Sequence, residues 1–301
     1  MELGMIGLGR MGLGMAQRLH RGGHRVVGFA RSADTRTRAQ EQGVEPAASI
    51  EALVGLLQRP RAVWMMVPAG DVVDETLAAL SPLLAKGDTI IDGGNSNYKD
   101  TQRRAKSLSE KEIDYIDCGT SGGVWGLEQG YSLMMGGDER VTERLCPIFA
   151  TLAPAPDKGW GRVGTSGAGH FTKMVHNGIE YGLMQAYGEG FALMQHKEEF
   201  ALDLHQVAQI WRDGSVVRSW LLDLTAAALA KNPQLEGIAP YVADSGEGRW
   251  TVFEAINLDV AAPVITLALL QRLRSRDANS FSDKLLAAMR QQFGGHDVRK
   301  E

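Results

Sequence analysis

Cysteine is almost missing from this chain: Cys118 and Cys146 are the only two among 301 residues. Two such residues exclude a disulfide framework and offer no zinc-type spacing, so no metal is expected and the cytoplasm is the natural compartment. An excess of positive charge is lacking too, since 32 Lys and Arg face 36 Asp and Glu for a net charge of −4. That excludes a nucleic-acid binder relying on an overall basic surface, but not a local basic pocket for a phosphorylated metabolite. No apolar run approaches transmembrane length, so no membrane partner is expected. No internal repeat or low-complexity segment stands out. The opening MELGMIGLGRMGLGMA is as small and apolar as a signal peptide, yet it lacks a basic leader and reads as strand, turn and helix. What is present, 44% hydrophobic and 23% charged residues over 301 positions, suits a globular protein of two domains, or of one with a large extension.

Short apolar strands are expected at Leu3–Leu8, Arg25–Phe29, Arg61–Val67, Thr89–Asp92, Tyr115–Cys118 and Ser132–Met135. Helical patterns lie between them, at Met11–His20, Ala33–Gln42, Ile50–Gln58, Val72–Leu84, a polar helix after Asn97, and Arg140–Leu152. This alternation predicts a doubly wound parallel sheet of Rossmann type. Only helical patterns follow Thr165, beginning with a long one over Gly169–Gln195. The fold class is therefore α/β then all-α, with a dinucleotide-binding domain over 1–165 and a helical substrate-binding and oligomerisation domain over 166–301.

Gly7-Leu8-Gly9-Arg10-Met11-Gly12 matches G-x-G-x-x-G between an apolar strand and a helix. There Gly7 allows a tight turn, Gly9 lets a pyrophosphate approach the backbone, and Gly12 permits close helix–strand packing. The second strand ends in Ala30-Arg31-Ser32. An NAD site usually places a carboxylate there for the ribose hydroxyls; Ala30 cannot repel a 2′-phosphate, Arg31 can pair with one, and Ser32, Thr35 and Arg36 can assist. NADP is the expected cofactor, with NAD the alternative. Three further loops end strands, where ligands of open α/β sheets bind. They carry Val67-Pro68-Ala69, then Asn95 in IDGGNS, and Ser121-Gly122-Gly123 as a candidate nest for a carboxylate.

Lys173, His176, Asn177, Glu180 and Tyr181 occupy i, i+3, i+4, i+7 and i+8 of one helical run, the spacing that normally forms an apolar stripe. Every position here carries acid, base or hydrogen-bonding chemistry, and a solvated face would be richer in Lys, Glu and Gln. Seven residues rise about 10 Å, so Lys173 and Glu180 can reach opposite ends of one small molecule.

The segments GLGRMG, IDGGNSNYKDTQRR, GTSGGVWG, KMVHNGIEYGLMQAYGEG, SGEGRWT and FGGH together resemble the decarboxylating 6-phosphogluconate dehydrogenases, in that family's order and across almost the whole chain. The length resembles the short bacterial form. The resemblance implies oxidation of 6-phospho-D-gluconate at C3, loss of CO₂ from C1 and release of ribulose 5-phosphate. It makes Lys173 the general base and Glu180 the acid. It places Asn95, Ser121, Gly122, Gly123, His176 and Asn177 on the carboxylate and sugar hydroxyls, and Tyr181 and Arg272 on the phosphate. It also implies that Arg290 and His296 complete the site of a neighbouring subunit, in a homodimer or homotetramer. Ser245 stands where long-form members have a phosphate-binding lysine, with Glu247 just beyond, which shifts phosphate binding toward Arg272, Arg290 and Arg249.

The chemistry fits these residue types without the family. A 3-hydroxy acid that loses hydride becomes a β-keto acid, whose carboxylate leaves readily because the ketone accepts the electrons. A neutral Lys173 can take the hydroxyl proton and then, protonated, polarise the ketone; Glu180 can protonate the enediol at C1. Two readings compete with this one: a non-decarboxylating 3-hydroxyacid dehydrogenase such as 3-hydroxyisobutyrate dehydrogenase, and a non-catalytic NADP-binding protein.

Overall fold

Residues that alternate along the strands divide into two apolar layers, and that division sets the architecture of the first part of the chain. The computed structural model describes residues 1–294 and 297–299, and the chain falls into two compact units, Met1–Asn177 and Gly178–Glu301. In the first unit one sheet contains β1 (Glu2–Ile6), β2 (Arg25–Phe29), β3 (Glu45–Pro46), β4 (Ala62–Met65), β5 (Thr89–Asp92), β6 (Asp114–Ser121), β7 (Ser132–Gly136) and β8 (Trp160–Gly164). Their order is β3-β2-β1-β4-β5-β6-β7-β8. Ala62 and Trp64 of β4 enter one buried cluster, whereas Val63 and Met65 enter the other. Helices cover both faces: α1 (Arg10–Arg21) and α8 (Cys146–Leu152) supply Met15, Leu19 and Phe149 to the first cluster. α3 (Ile50–Gly55), α4 (Asp71–Leu80) and α5 (Tyr98–Ser109) supply Leu53, Leu77 and Leu108 to the second. The remaining helices of this unit are α2 (Ala33–Glu41), α6 (Gly126–Gln129) and α7 (Glu139–Arg144).

The parallel sheet expected from the sequence is found over six strands, and two strands depart from it. β7 is antiparallel to β6, and β8 is parallel to β7. A parallel return needs a crossover of about a dozen residues or more, and residues 122–131 between β6 and β7 are too few. β3 and β8, the two edges, went unpredicted because one is two residues long with a proline and the other contains two glycines. The single helix expected over Arg140–Leu152 is two, α7 and α8, because Pro147 cannot donate within a continuous helix. Asn97 caps α5 as expected, its side chain accepting from the Lys99 amide at 2.9 Å.

α9 (Ala168–His196) runs unbroken from the first unit into the second. Its later turns, with α10 (Leu204–Arg212) and α11 (Trp220–Lys231), enclose Phe191, Ala208, Leu222 and Ala226. A second small core joins Tyr181 to Val252 of α12 (Glu247–Asn257) and to Ala268 and Leu269 of α13 (Pro263–Arg274). α14 (Phe281–Gly294) closes the helical series. No described helix is long and apolar enough to cross a membrane.

Candidate active site

The glycine turn leaves β1 where the strand order reverses, with β2 on one side and β4 on the other. Gly7 takes φ +93°, and a Cβ there would lie 2.3 Å from the Met66 carbonyl oxygen. A Cβ on Gly12 would lie 2.0 Å from the Gly7 oxygen, so this helix start packs as tightly as a dinucleotide turn requires. Gly9 behaves differently: its Cβ would meet open space. It also begins α1 without a side-chain cap, leaving first-turn N–H groups available to an anion. Leu8 is core, Met11 packs partly against it, and Arg10 is exposed. The turn therefore fits a pyrophosphate at Gly9.

Ala30, Arg31 and Ser32 follow β2. Ala30 is half-buried; Arg31 is exposed, and its side chain makes no hydrogen bond or ion pair among the described residues. Ser32 caps α2, accepting from the Thr35 amide at 3.5 Å. Arg36 donates to the carbonyls of Ala30 at 2.6 Å and Arg31 at 3.0 Å, so it holds the loop's backbone.

Val67, Pro68 and Ala69 follow β4, and Pro68 and Ala69 are exposed. The next residue, Gly70, accepts from Arg104 Nη2 at 3.0 Å. Arg104 is buried and grips Asp74 through Nε at 2.9 Å and Nη2 at 2.8 Å. Asp74 is pulled down to about 2, chiefly by its hydrogen bonds from Arg104.

Asn95 is exposed at the end of β5, on a loop organised from below by buried Asp92. The Asp92 carboxylate accepts from the Gly94 amide at 3.1 Å, Ser96 Oγ at 2.8 Å and the Tyr115 hydroxyl at 3.0 Å. Burial pushes the Tyr115 phenol well up, so it stays a donor. Ser121 ends β6, and Gly122 and Gly123 turn away with φ of +132° and +52°.

α9 is fixed against this same part of the sheet. Asp117 on β6, the register partner of Asp92, accepts from the amides of Gly167 at 2.7 Å and His170 at 2.9 Å, anchoring the start of the helix. The His170 ring lies between Thr101 Oγ1 at 2.7 Å and the Asp92 carbonyl at 3.1 Å. Opposite Lys173 the strand residue is Gly119, whose absent Cβ would stand 2.5 Å from the Lys173 Cβ. Lys173 is only 7% exposed, and its Nζ donates to Asn177 Oδ1 at 2.7 Å. His176 Nδ1 lies 3.1 Å from the same oxygen, which assigns the ring proton to that nitrogen.

One turn further along α9, Glu180 is half-buried. Tyr181 is buried in the second unit and carries the Arg272 guanidinium on its ring, 3.5 Å from the centroid. Tyr181 and Arg272 are thus brought together. Arg290 is exposed on α14, its side chain without a hydrogen bond or ion pair among the described residues. His296 lies outside the described residues.

Two family profiles match the chain. The profile of the "NAD binding domain of 6-phosphogluconate dehydrogenase" matches residues 2–163, and that of the "6-phosphogluconate dehydrogenase, C-terminal domain" matches residues 169–283. The chain belongs to the 6-phosphogluconate dehydrogenase family. An NAD(+)-dependent decarboxylating 6-phosphogluconate dehydrogenase of Haloferax volcanii is 45% identical over 302 residues, 100% of this chain and 99% of the relative. One from Bacillus subtilis is 38% identical over 289 residues, covering 91% of this chain but 61% of that longer protein. Among solved structures, 6-phosphogluconate dehydrogenase of Plasmodium falciparum, described with NADP+ and with 6-phosphogluconate, matches with a TM-score of 0.85 and 30% identity. That match covers 100% of this chain and 66% of the other.

Beneath the candidate site residues of this 6-phosphogluconate dehydrogenase fold lie groups that the sequence did not single out. Asp92 and Asp117 carried a readable signal, because Ile-Asp closes two apolar segments, Ile91-Asp92 and Ile116-Asp117, which pair in register. Arg104, His170 and Gly119 gave none, since their partners are distant in sequence.

Proposed function

We propose that the protein catalyses oxidative decarboxylation of 6-phospho-D-gluconate to D-ribulose 5-phosphate and CO₂, with NADP the preferred hydride acceptor and NAD the alternative. The observation that carries this reading is Lys173, buried against Gly119 with its Nζ on Asn177, on the unbroken helix that also bears Glu180 about 10 Å along.

A bound nicotinamide supplies the hydride acceptor. The chain's own residues handle protons and orientation. Lys173 Nζ takes the C3 hydroxyl proton and, as an ammonium, polarises the ketone so that the C1 carboxylate leaves as CO₂. Glu180 then protonates C1 of the enediol. Asn177 orients the Lys173 amine, and His176 orients Asn177 through the same oxygen. Asn95, His176, Asn177, Ser121 and the Gly122–Gly123 backbone hold the carboxylate and hydroxyls, while Tyr181 and Arg272 hold the phosphate. Arg290 and His296 complete the site of a second subunit. The division of labour at residue 165, a cytoplasmic setting and a homodimeric or homotetrameric state belong to the same proposal.

NADP preference rests on Ala30, which leaves no carboxylate beside a 2′-phosphate, and on the free Arg31. NAD is supported by the Haloferax and Bacillus relatives, both NAD(+)-dependent enzymes. Initial rates with 6-phosphogluconate and each cofactor, with CO₂ measured alongside, test both statements. Reduced cofactor without CO₂ would favour a non-decarboxylating dehydrogenase. No reduction at all would sink the reading, and a lower KM for NAD would overturn the preference.

A further inference from the structure

The loop that carries Asn95 is held twice, once from within and once from α9. It leaves β5 at Asp92 and ends at Asn97, the cap of α5. From within, the Asp92 carboxylate binds both chain neighbours of Asn95. Its Oδ1 accepts from the Gly94 amide at 3.1 Å and its Oδ2 from Ser96 Oγ at 2.8 Å. Asp92 thus gives the loop its shape. From α9, the His170 ring reaches both ends of the loop. Nε2 lies 3.1 Å from the carbonyl oxygen of Asp92, where the loop begins. Nδ1 lies 2.7 Å from Oγ1 of Thr101, whose amide donates to the Asn97 carbonyl, where the loop ends.

A carbonyl oxygen can only accept, so Nε2 carries the ring proton that faces Asp92; in a neutral imidazole Nδ1 is then an acceptor. The Thr101 hydroxyl therefore donates to Nδ1 and sets the tautomer that the Asp92 bond requires. Its other acceptor, the Asn97 carbonyl, lies farther away at 3.2 Å. His170 is buried, so these bonds are made away from competing water. α9 has other attachments here. Asp117 takes the Gly167 and His170 amides, and Phe171 packs edge-on against Tyr98 of α5 with ring centroids 5.3 Å apart. What the ring adds is a fixed relation between the Asn95 loop and the helix that bears Lys173, three residues on and about 4.5 Å along the axis.

We propose that His170, held in its Nε2–H tautomer by Thr101, is a positioning residue for the reaction: it sets Asn95, and through Asn95 the substrate, in register with Lys173. The inference rests on the reading of Asn95 as a substrate ligand and Lys173 as the base. It is tested on variants of the full chain assayed with 6-phosphogluconate and NADP. His170→Leu removes both ring bonds and is expected to lower kcat/KM for 6-phosphogluconate about tenfold or more, since small misplacements of reacting groups are costly in rate. His170→Gln, whose amide can still donate toward the Asp92 carbonyl, should recover part of that loss. In an Asn95→Ala background no side chain is left to position, and His170→Leu should then cost less than about threefold. A merely structural tie would give the same fold loss in both backgrounds, and that result overturns the proposal. So does wild-type kcat/KM in a folded His170→Leu protein, or a Gln variant no better than the Leu one. Should His170→Leu fail to fold, Thr101→Val decides in the same two backgrounds, because it keeps the side-chain shape and removes the hydroxyl that sets the tautomer. Unchanged kcat/KM, or equal losses with and without Asn95, would overturn the proposal there too. If the wild-type enzyme ignores 6-phosphogluconate, the functional reading fails by itself. Hydrogen exchange then judges the tie: the amides of residues 93–97 should exchange several-fold faster in Thr101→Val than in wild type, and equal rates overturn it.

Discussion

A lysine at a sheet surface is ordinary; Lys173 is 7% exposed, its amine bonded to an amide oxygen that also meets a histidine. Lys173→Ala removes the proposed proton acceptor while Asn177, His176 and Asn95 stay in place. The expected outcome is a fall in kcat of at least about a hundredfold, with substrate and cofactor still binding. Retention of more than a few percent of wild-type turnover in a steady-state assay would transfer the base role elsewhere. Asp74 supplies a second test at this scale. Its carboxyl titrates near 2 in the folded protein and in the ordinary carboxylate range when unfolded, so the Arg104 pair contributes stability above about pH 4 that is lost as pH falls toward 2. With the Asp74 side chain 39% exposed, screening reduces that contribution to about 1 kcal/mol. Denaturant melts of wild type and Asp74→Asn should differ most near pH 7 and converge as pH drops toward 2. A constant gap would mean that the pair is not the source.

At the scale of elements, the contact between α9 and β6 places the site. Gly119→Ala puts a methyl group 2.5 Å from the Lys173 Cβ and 2.8 Å from the Gly169 carbonyl oxygen, so the helix must shift. A stability loss of about 1–3 kcal/mol is expected from such overpacking. Turnover should fall about tenfold or more, because misplacing a catalytic group by a fraction of its reach is costly in rate. Cofactor affinity should be kept, since the glycine turn is elsewhere on the sheet. Wild-type kcat in a folded Gly119→Ala protein would show that this contact does not position the lysine. The same contact marks how far the sequence was legible. Polar residues at helical spacing marked the stripe proposed as catalytic, and G-x-G-x-x-G after an apolar strand marked the turn, because both signals are local. The glycine opposite Lys173 and the partners of Arg104 and His170 depend on which segments meet in space, and local spacing carries none of that.

For the whole molecule, the last helix leaves apolar surface uncovered. Phe281, Leu285 and Met289 repeat at every fourth residue of α14 and are exposed, with Phe281 at 76%. Burying each is worth about 1.5–3 kcal/mol, so association of two chains through such a stripe is favoured. Light scattering should report a dimer or larger species. Deleting the chain from Arg290 onward should raise KM for 6-phosphogluconate far more than for the cofactor. A fully active monomer would rule out a shared site.

The loop after β2 has a consequence for how this enzyme can change. The Arg31 side chain is exposed without a described partner, and Ala30 meets the core only partly, whereas Ser32 caps α2 and Arg36 ties down the backbone of both. The two positions proposed to discriminate between cofactors are thus mechanically separate from the two that keep the loop in shape. Coenzyme choice can drift over generations, or be rewritten at the bench, at Ala30 and Arg31 alone, with the scaffold indifferent to the exchange.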